Sequence, residues 1–512
     1  VATGFTFTLA AVYYPLPRAA PVASDELKTA ACLYKLPPQM TEIVTTPIVP
    51  VVKQNWLNRL SPQAVFLLVV GFFGLAMGIV TPPVQVPDEP HHWYRIYQLT
   101  QGKFVSPHYG GDIPTSLLAY QSSKLYAAMS MNPLAKTSVQ QTLNSLKEPL
   151  QPRKTRFADF PDCAIYPIVP YIPQTLAMLA ARKLHWSALS LLYAGRLGTL
   201  VGYLLIGSTA IRLLPILKWP AVLILANPML VFLSGSLSED PVTDAMALLA
   251  TALALRCILL PGQLSNRTII TLAVVMALVA VCKSAYLPIV LLVLAIPRDK
   301  WGVGSRKWWI PAVLIALSVG TCLAWSATIK AGDVRIHGCQ GPAAQMQWMR
   351  HDPMKYLNIV RVSLVRFAPT LFDSAVGRLG WWDTPLNPGV IYLVYIVLAW
   401  TTLAYDEPIK LSFLPRFIAV IAVVCSAALV ITACYLYACP TGDPLVEGLQ
   451  GRYFLPVSLL ICMVFRRRGS YTVQPKWMLA YLSLISLYTL WALIERFYLP
   501  HDYLMKLLGG TA

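Results

Sequence analysis

The chain has 512 residues, of which 56% are hydrophobic and only 12% charged, with a mean hydropathy of +0.57. Soluble domains carry about 25% charged residues, so half that charge, with apolar runs near the roughly 20 residues a helix needs to cross a bilayer, specifies a polytopic membrane protein. The net charge of +18 does not indicate nucleic acid, because Lys and Arg cluster briefly between apolar runs, as in cytoplasmic loops, and form no aromatic-laced basic face.

In chain order, residues 1–60 form an N-terminal extension of short apolar pieces and prolines, expected to be cytoplasmic and poorly ordered. No basic segment precedes the apolar residues 5–12, so a cleaved signal peptide is not expected there; Met40 is an alternative start. The first transmembrane helix is expected over 61–82. A first periplasmic loop follows over 83–186, then spans 2–7 over 187–329. A second outer loop covers 330–389, spans 8–11 cover 390–496, and 497–512 is a tail. Several runs, such as 219–235 and 285–297, are short for a perpendicular helix and call for tilt or breaks. Lys283, between the runs 267–282 and 285–297, marks a discontinuous helix whose ends face a cavity.

The stretch 163–181, "CAIYPIVPYIPQTLAMLAA", is long enough to span but crowded with prolines. If it stays outside the bilayer and the N-terminus is cytoplasmic, the clusters Arg298, Lys300, Arg306, Lys307 and Arg466, Arg467, Arg468 fall on one side of the membrane. The other side then keeps only Lys283, Arg452, Arg496 and Lys506 in its short connections and tail. If it spans, that bias inverts. The positive-inside rule therefore makes 163–181 an interfacial helix and leaves about eleven spans in an all-α integral membrane fold. Of the cysteines, Cys163, Cys339 and Cys439 lie outside the spans, and no spacing suits zinc.

This topology places five polar stretches at the outer ends of spans: "VPDEPHH" (86–92), "GSLSEDP" (235–241), "KSAY" (283–286), "GRLGWWD" (377–383) and "EGLQGRYFLP" (447–456). Ionisable groups at such places are functional candidates. No P-loop, G-x-G-x-x-G, H-E-x-x-H, G-x-S-x-G or D-x-D occurs. An outward-facing enzyme has no cytoplasmic nucleotide donor, so its activated substrate must arrive on a lipid. A lipid phosphate leaves already charged. It needs a nearby cation, while the acceptor hydroxyl needs a general base. Asp88 and Glu89 can supply the base, and Arg452 with Lys283 the cation.

The stretches "PPVQVPDEPHHWYRIYQLTQG" (82–102), "SGSLSEDP", "CKSAYLP", "GRLGWWDTPL" and "GLQGRYFLP" resemble a bacterial family of multi-pass proteins catalogued as a domain of unknown function, and that family is similar to GT-C glycosyltransferases. The resemblance covers about residues 60–500. It implies a GT-C-like bundle with interfacial helices in the first periplasmic loop, in a bacterial inner membrane. The implied reaction is inverting transfer of one sugar from a polyprenyl-phosphate donor to a glycan, lipid or protein acceptor. An acidic residue in the first outer loop acts as base or orients the acceptor in such enzymes; carried onto this chain it is Asp88, with Glu89 beside it. Arg95, Tyr286, Arg378, Asp383, Gln450 and Tyr453 share these stretches and join His91, His92, Glu239, Asp240, Trp381 and Trp382 as candidate substrate-binding groups.

Each candidate has a plainer reading. Asp88 is a good helix N-cap; Glu239 and Asp240 complement a helix dipole; Trp381 and Trp382 suit an interfacial belt; Arg452 can anchor to headgroups. A divalent cation, Mg or Mn, held by Asp88, Glu89 and His91 stays open beside a metal-free site. The alternative functions are a transporter or flippase of a lipid-linked glycan, whose polar groups would reach the midplane amid internal repeats, and a glycan polymerase using a lipid-diphosphate donor.

Overall fold

The computed structural model describes residues 56–330, 341–405, 409–467, 469 and 471–500. The expectation for the N-terminal extension falls outside these residues except at 56–60, where Trp56–Arg59 make one 3-10 turn. The tail after 500 and Cys339 also lie outside them.

Helix α1 (Pro62–Val80) starts where Ser61 Oγ accepts from Ala64 N–H at 3.1 Å and Pro62 occupies a position needing no donor. Its 19 residues rise about 28 Å at 1.5 Å each, enough to cross the hydrocarbon. It ends at Thr81, before Pro82 and Pro83. Helix α2 (Glu89–Leu99) follows at once. The rest of the first loop carries short helices and a small antiparallel pair, β1 (Gly110–Pro114) with β2 (Thr155–Asp159), in register Gly110↔Asp159 to Pro114↔Thr155.

The stretch 163–181 is not one helix. Prolines 167, 170 and 173 divide it into a turn, a 3-10 piece at Val169–Tyr171 and helix α3 (Ile172–Lys183). Twelve residues rise about 18 Å, too short to span. Helix α3 lies against α4 (Ala188–Leu213).

The apolar run 219–235 differs from a single span. It is α5 (Lys218–Leu225) and α6 (Pro228–Ser234), broken at Ala226–Asn227. Pro228 has no N–H to continue the ladder, and Asn227 Oδ1 caps Met229 N–H at 2.9 Å. Helix α1 meets the C-terminal end of α6, where Gly78 lies against Gly235; a Cβ on Gly78 would stand 2.9 Å from the Gly235 carbonyl oxygen, so the small residues permit the approach. Next come α7 (Asp240–Leu259), buried along most of its length, and α8 (Asn266–Cys282). The chain then breaks, as the sequence indicates, at Lys283, which is extended (φ −147°, ψ 123°) before a 3-10 run at Ser284–Ala295.

Helix α9 (Arg306–Thr328) precedes a long connection, which holds α10 (Pro342–His351), α11 (Pro353–Ser374) and the two-residue pair β3 (Arg378–Leu379) and β4 (Thr384–Pro385). The chain continues through α12 (Pro388–Ala404), α13 (Phe413–Ala438), a 3-10 piece at Gly451–Val457 leading into α14 (Ser458–Phe465), and α15 (Pro475–Tyr498). Among the described residues six helices are long and apolar enough to cross a membrane: α1, α4, α7, α9, α13 and α15. Four shorter apolar segments accompany them. The protein is a helical, multi-pass membrane protein. No disulfide joins its described cysteines.

Candidate functional site

A single arginine organises the loop after α1. Arg196, inside α4 and 2% exposed, donates to both Glu89 oxygens (2.9 and 2.7 Å) and to the carbonyls of Gly78, Thr81 and Pro82. Those carbonyls belong to the end of α1, where helical partners have run out. Glu89 is fully buried and lies outside the cavity described below; its neighbour faces the other way. Asp88 sits at φ 60°, ψ 6°, left-handed backbone that costs a non-glycine residue, and its side chain makes no capping bond.

Asp88 lines a cavity of about 430 Å³. Glu239 and Asp240 enter it from the start of α7, Lys283 and Tyr286 from the break after α8, and Gln450, Arg452 and Tyr453 from the 3-10 turn before α14. These are breaks and helix ends that are far apart in sequence. Lys283 Nζ lies 2.7 Å from Glu239 Oε1 and 2.5 Å from Asp240 Oδ1. Tyr166 and Tyr453 present their rings to the ammonium at 5.2 and 5.5 Å. Arg452, 7% exposed, has Nε 3.6 Å from Asp240 Oδ2, beyond hydrogen-bond reach, and that nitrogen has no partner among the described residues. Tyr286 donates its hydroxyl to the Tyr453 carbonyl at 2.9 Å, joining the two turns.

His92 also lines the cavity. Its Nδ1 is 2.7 Å from Tyr171 Oη and 3.3 Å from Cys163 Sγ, and its Nε2 is 3.3 Å from Glu239 Oε2. His91 instead points at Asp162, with Nδ1 2.8 Å from Oδ1 and 2.9 Å from Oδ2. Burial would push the His91 imidazole down, but the hydrogen bond and charge of Asp162, with the charge of Asp88, hold it above its ordinary value. Burial likewise works to raise Asp162, yet His91 holds it below the usual carboxylate range. Asp88 moves the other way: burial and the charge of Asp162 raise it, against the pull of Arg452, His92 and His91.

The long helices add a mostly apolar wall to the cavity. Cys322, Trp325 and Ser326 line it from α9, Ile329 from the residue that ends that helix, and Val430, Ala433 and Tyr437 from α13. The two helices flank the space without packing closely on one another. Charged groups and the side chains of two long apolar helices thus line one cavity.

Other sequence candidates lie elsewhere. Arg95 is buried and holds loop structure, donating to Gln98 Oε1 (2.6 Å) and to the carbonyls of Phe104 (2.7 Å) and Tyr166 (3.0 Å). Trp381 donates its indole N–H to the Val84 carbonyl at 3.0 Å. Asp383 is paired with Arg496, Nη2 at 2.5 Å, and Arg496 also bonds the carbonyls of Met129, Asn132 and Ala135. Arg378 and Trp382 line a small neighbouring pocket with Pro87, Gln450 and Arg452. The proposed metal set is divided: Glu89 belongs to Arg196, His91 to Asp162, and the Lys283 ammonium stands between Glu239 and Asp240 where a cation would sit. Among the described residues no three His, Cys, Asp or Glu side chains converge on a metal position. The donor set does not fit a divalent ion.

Asp162, just before the stretch that reads as an interfacial helix, and Cys163 and Tyr166, inside it, were not candidates in the sequence. Arg196 carried a usable signal, being a charge inside an apolar run. A family described as "Predicted membrane protein (DUF2142)" matches residues 70–461. No curated protein and no solved structure matches the chain.

Proposed function

The chain belongs to the DUF2142 family of predicted membrane proteins, and from that premise we propose that it is an inverting glycosyltransferase of GT-C type. It moves a sugar from a polyprenyl-phosphate carrier to a glycan, lipid or protein acceptor on the periplasmic face of a bacterial inner membrane. The observation that supports this reading is one cavity with three parts. Asp88, which makes no cap bond, and the partly unpaired cation Arg452 share its polar end, and an apolar slot between α9 and α13 continues from it.

The chemistry follows from those parts. The prenyl chain lies in the slot, with its phosphate near Arg452. Asp88 takes the proton of the acceptor hydroxyl, the hydroxyl oxygen bonds to sugar C1, and the C1–oxygen bond to phosphate breaks with inversion. The bonding electrons leave on the phosphate, where Arg452 stabilises the charge. Lys283 neutralises Glu239 and Asp240, which would otherwise repel the phosphate. Glu89 and Arg196 set the position of Asp88 from behind.

The test is turnover by the purified protein, using polyprenyl-phosphate sugars and a panel of envelope acceptors, with products read by mass spectrometry. One added sugar per acceptor, with loss of turnover in Asp88→Asn, is expected. Turnover unchanged in that variant refutes the assignment.

A further inference from the structure

The pocket beside the main cavity has a volume of about 10 Å³, room for about one water-sized atom. It shares Gln450 and Arg452 with the main cavity, and Pro87, the residue before Asp88, forms part of its wall. Arg378 reaches it from β3, held by a turn in which Gly380 (φ 60°) and Trp382 (φ 66°) both adopt left-handed backbone. Trp382 places its ring 5.9 Å from the Arg378 guanidinium.

Two guanidinium nitrogens here are buried without a hydrogen-bond partner among the described residues: Nε of Arg378, whose side chain is otherwise 33% exposed, and Nε of Arg452. The nearest carboxylates stand off, Asp373 at 3.7 Å from Arg378 Nη2 and Asp240 at 3.6 Å from Arg452 Nε. A buried charged donor left unsatisfied is costly, and planar guanidinium groups match phosphate and carboxylate oxygens. Ser374, also in the wall, has its Oγ accepting from Gly451 N–H at 2.8 Å, and neither arginine Nε bonds to it.

We infer that Arg378 and Arg452 form a second oxyanion subsite that takes one phosphate or carboxylate oxygen of a substrate seated in the main cavity. The subsite rests on the two unpartnered nitrogens; its link to a substrate rests on the function proposed above. Two sources supply that oxygen. It is either the second phosphate of a diphosphate carrier, which would take the place of the monophosphate donor proposed above, with Arg452 bridging both phosphates, or an acidic group on the acceptor, placed one residue from Asp88.

The test is binding to the full chain in nanodiscs, comparing wild type with Arg378→Gln and Arg378→Lys. The probes are polyprenyl monophosphate, polyprenyl diphosphate, glucuronate and glucose. Hydrogen bonds to charged groups are worth enough to change affinity at least about tenfold. If the carrier supplies the oxygen, wild type binds diphosphate at least about tenfold tighter than monophosphate and R378Q erases the difference. If the acceptor supplies it, the two lipids bind alike, glucuronate binds and glucose does not, and R378Q loses glucuronate. R378K, which keeps charge but not the planar fork, is expected between the two and replaces R378Q if that variant is not monodisperse. Arg378-dependent glucuronate binding without binding of either lipid leaves the subsite standing and defeats the lipid-carrier reading. Absence of any Arg378-dependent anion binding means that the pocket holds water only, and overturns the inference.

Discussion

Arg196 grips both carboxylate oxygens of Glu89, at 2.9 and 2.7 Å, while holding three carbonyls at the end of α1. One guanidinium therefore closes a span and fixes the entry of α2. The pair is sealed from water, so its value lies in geometry: with Glu89 turned inward, Asp88 is turned to the cavity.

Removing one member should be severe. Arg196→Met leaves a buried carboxylate without its cation, with the Leu237 N–H at 3.4 Å as its remaining donor, and takes a donor from three carbonyls, and about 3–5 kcal/mol of stability should be lost, as for other broken buried pairs. Thermal unfolding in detergent measures it. The double variant Glu89→Gln/Arg196→Met should recover part of the loss, because no uncompensated charge remains; a double variant no more stable than the single one would contradict this account.

Asp88→Asn should behave in the opposite way. Asparagine tolerates left-handed backbone, so the fold and unfolding temperature should be preserved. Turnover should fall by about 10²–10⁴-fold, the usual contribution of a general base. Asp88→Ala should lose stability as well, since alanine at φ 60° is strained.

The same carboxyl sets a pH dependence. Burial and Asp162 raise Asp88 above its ordinary 3.8, and the base must be ionised to act. Activity should therefore rise with pH through a midpoint above that value and be lost below it. A pH–rate profile with its acid limb at the unperturbed carboxylate value would count against Asp88 as the base.

His91 and Asp162 make a separate prediction about stability. His91 is raised from 6.5 in the folded state, so its contribution is full below that value and lost as pH climbs through the raised one. Asp162 is lowered from 3.8, so its contribution is full above that value and lost as pH falls through the lowered one. The stability difference between wild type and His91→Gln should be greatest between about 4 and 6.5 and shrink on both sides. Unfolding temperatures across pH read this directly.

Asp383→Asn should loosen the attachment of α15 to the connection between α2 and α3, since Arg496 ties Asp383 to the carbonyls of Met129, Asn132 and Ala135. Faster cleavage in residues 124–135 under limited proteolysis is expected, with Arg378-dependent anion binding unchanged.

The local chain by itself determined where it becomes apolar and where it breaks. Hydropathy marks the long helices, prolines divide 163–181 and 219–235, and Lys283 interrupts its apolar run, because backbone propensity and transfer free energy act within a few residues. It also marked the five polar stretches, four of which place side chains in the main cavity. Tertiary structure decided which side chains within each stretch face that cavity. Asp88 and Glu89 are adjacent and chemically alike, and only the distant Arg196 separates their roles. "GRLGWWD" divides likewise: Arg378 and Trp382 turn to the small pocket, while Trp381 goes to Val84 and Asp383 to Arg496. Asp162, which tunes Asp88, comes from another segment entirely. Ion pairs and hydrogen bonds between segments a hundred or more residues apart depend on how helices pack, and no local pattern encodes that packing.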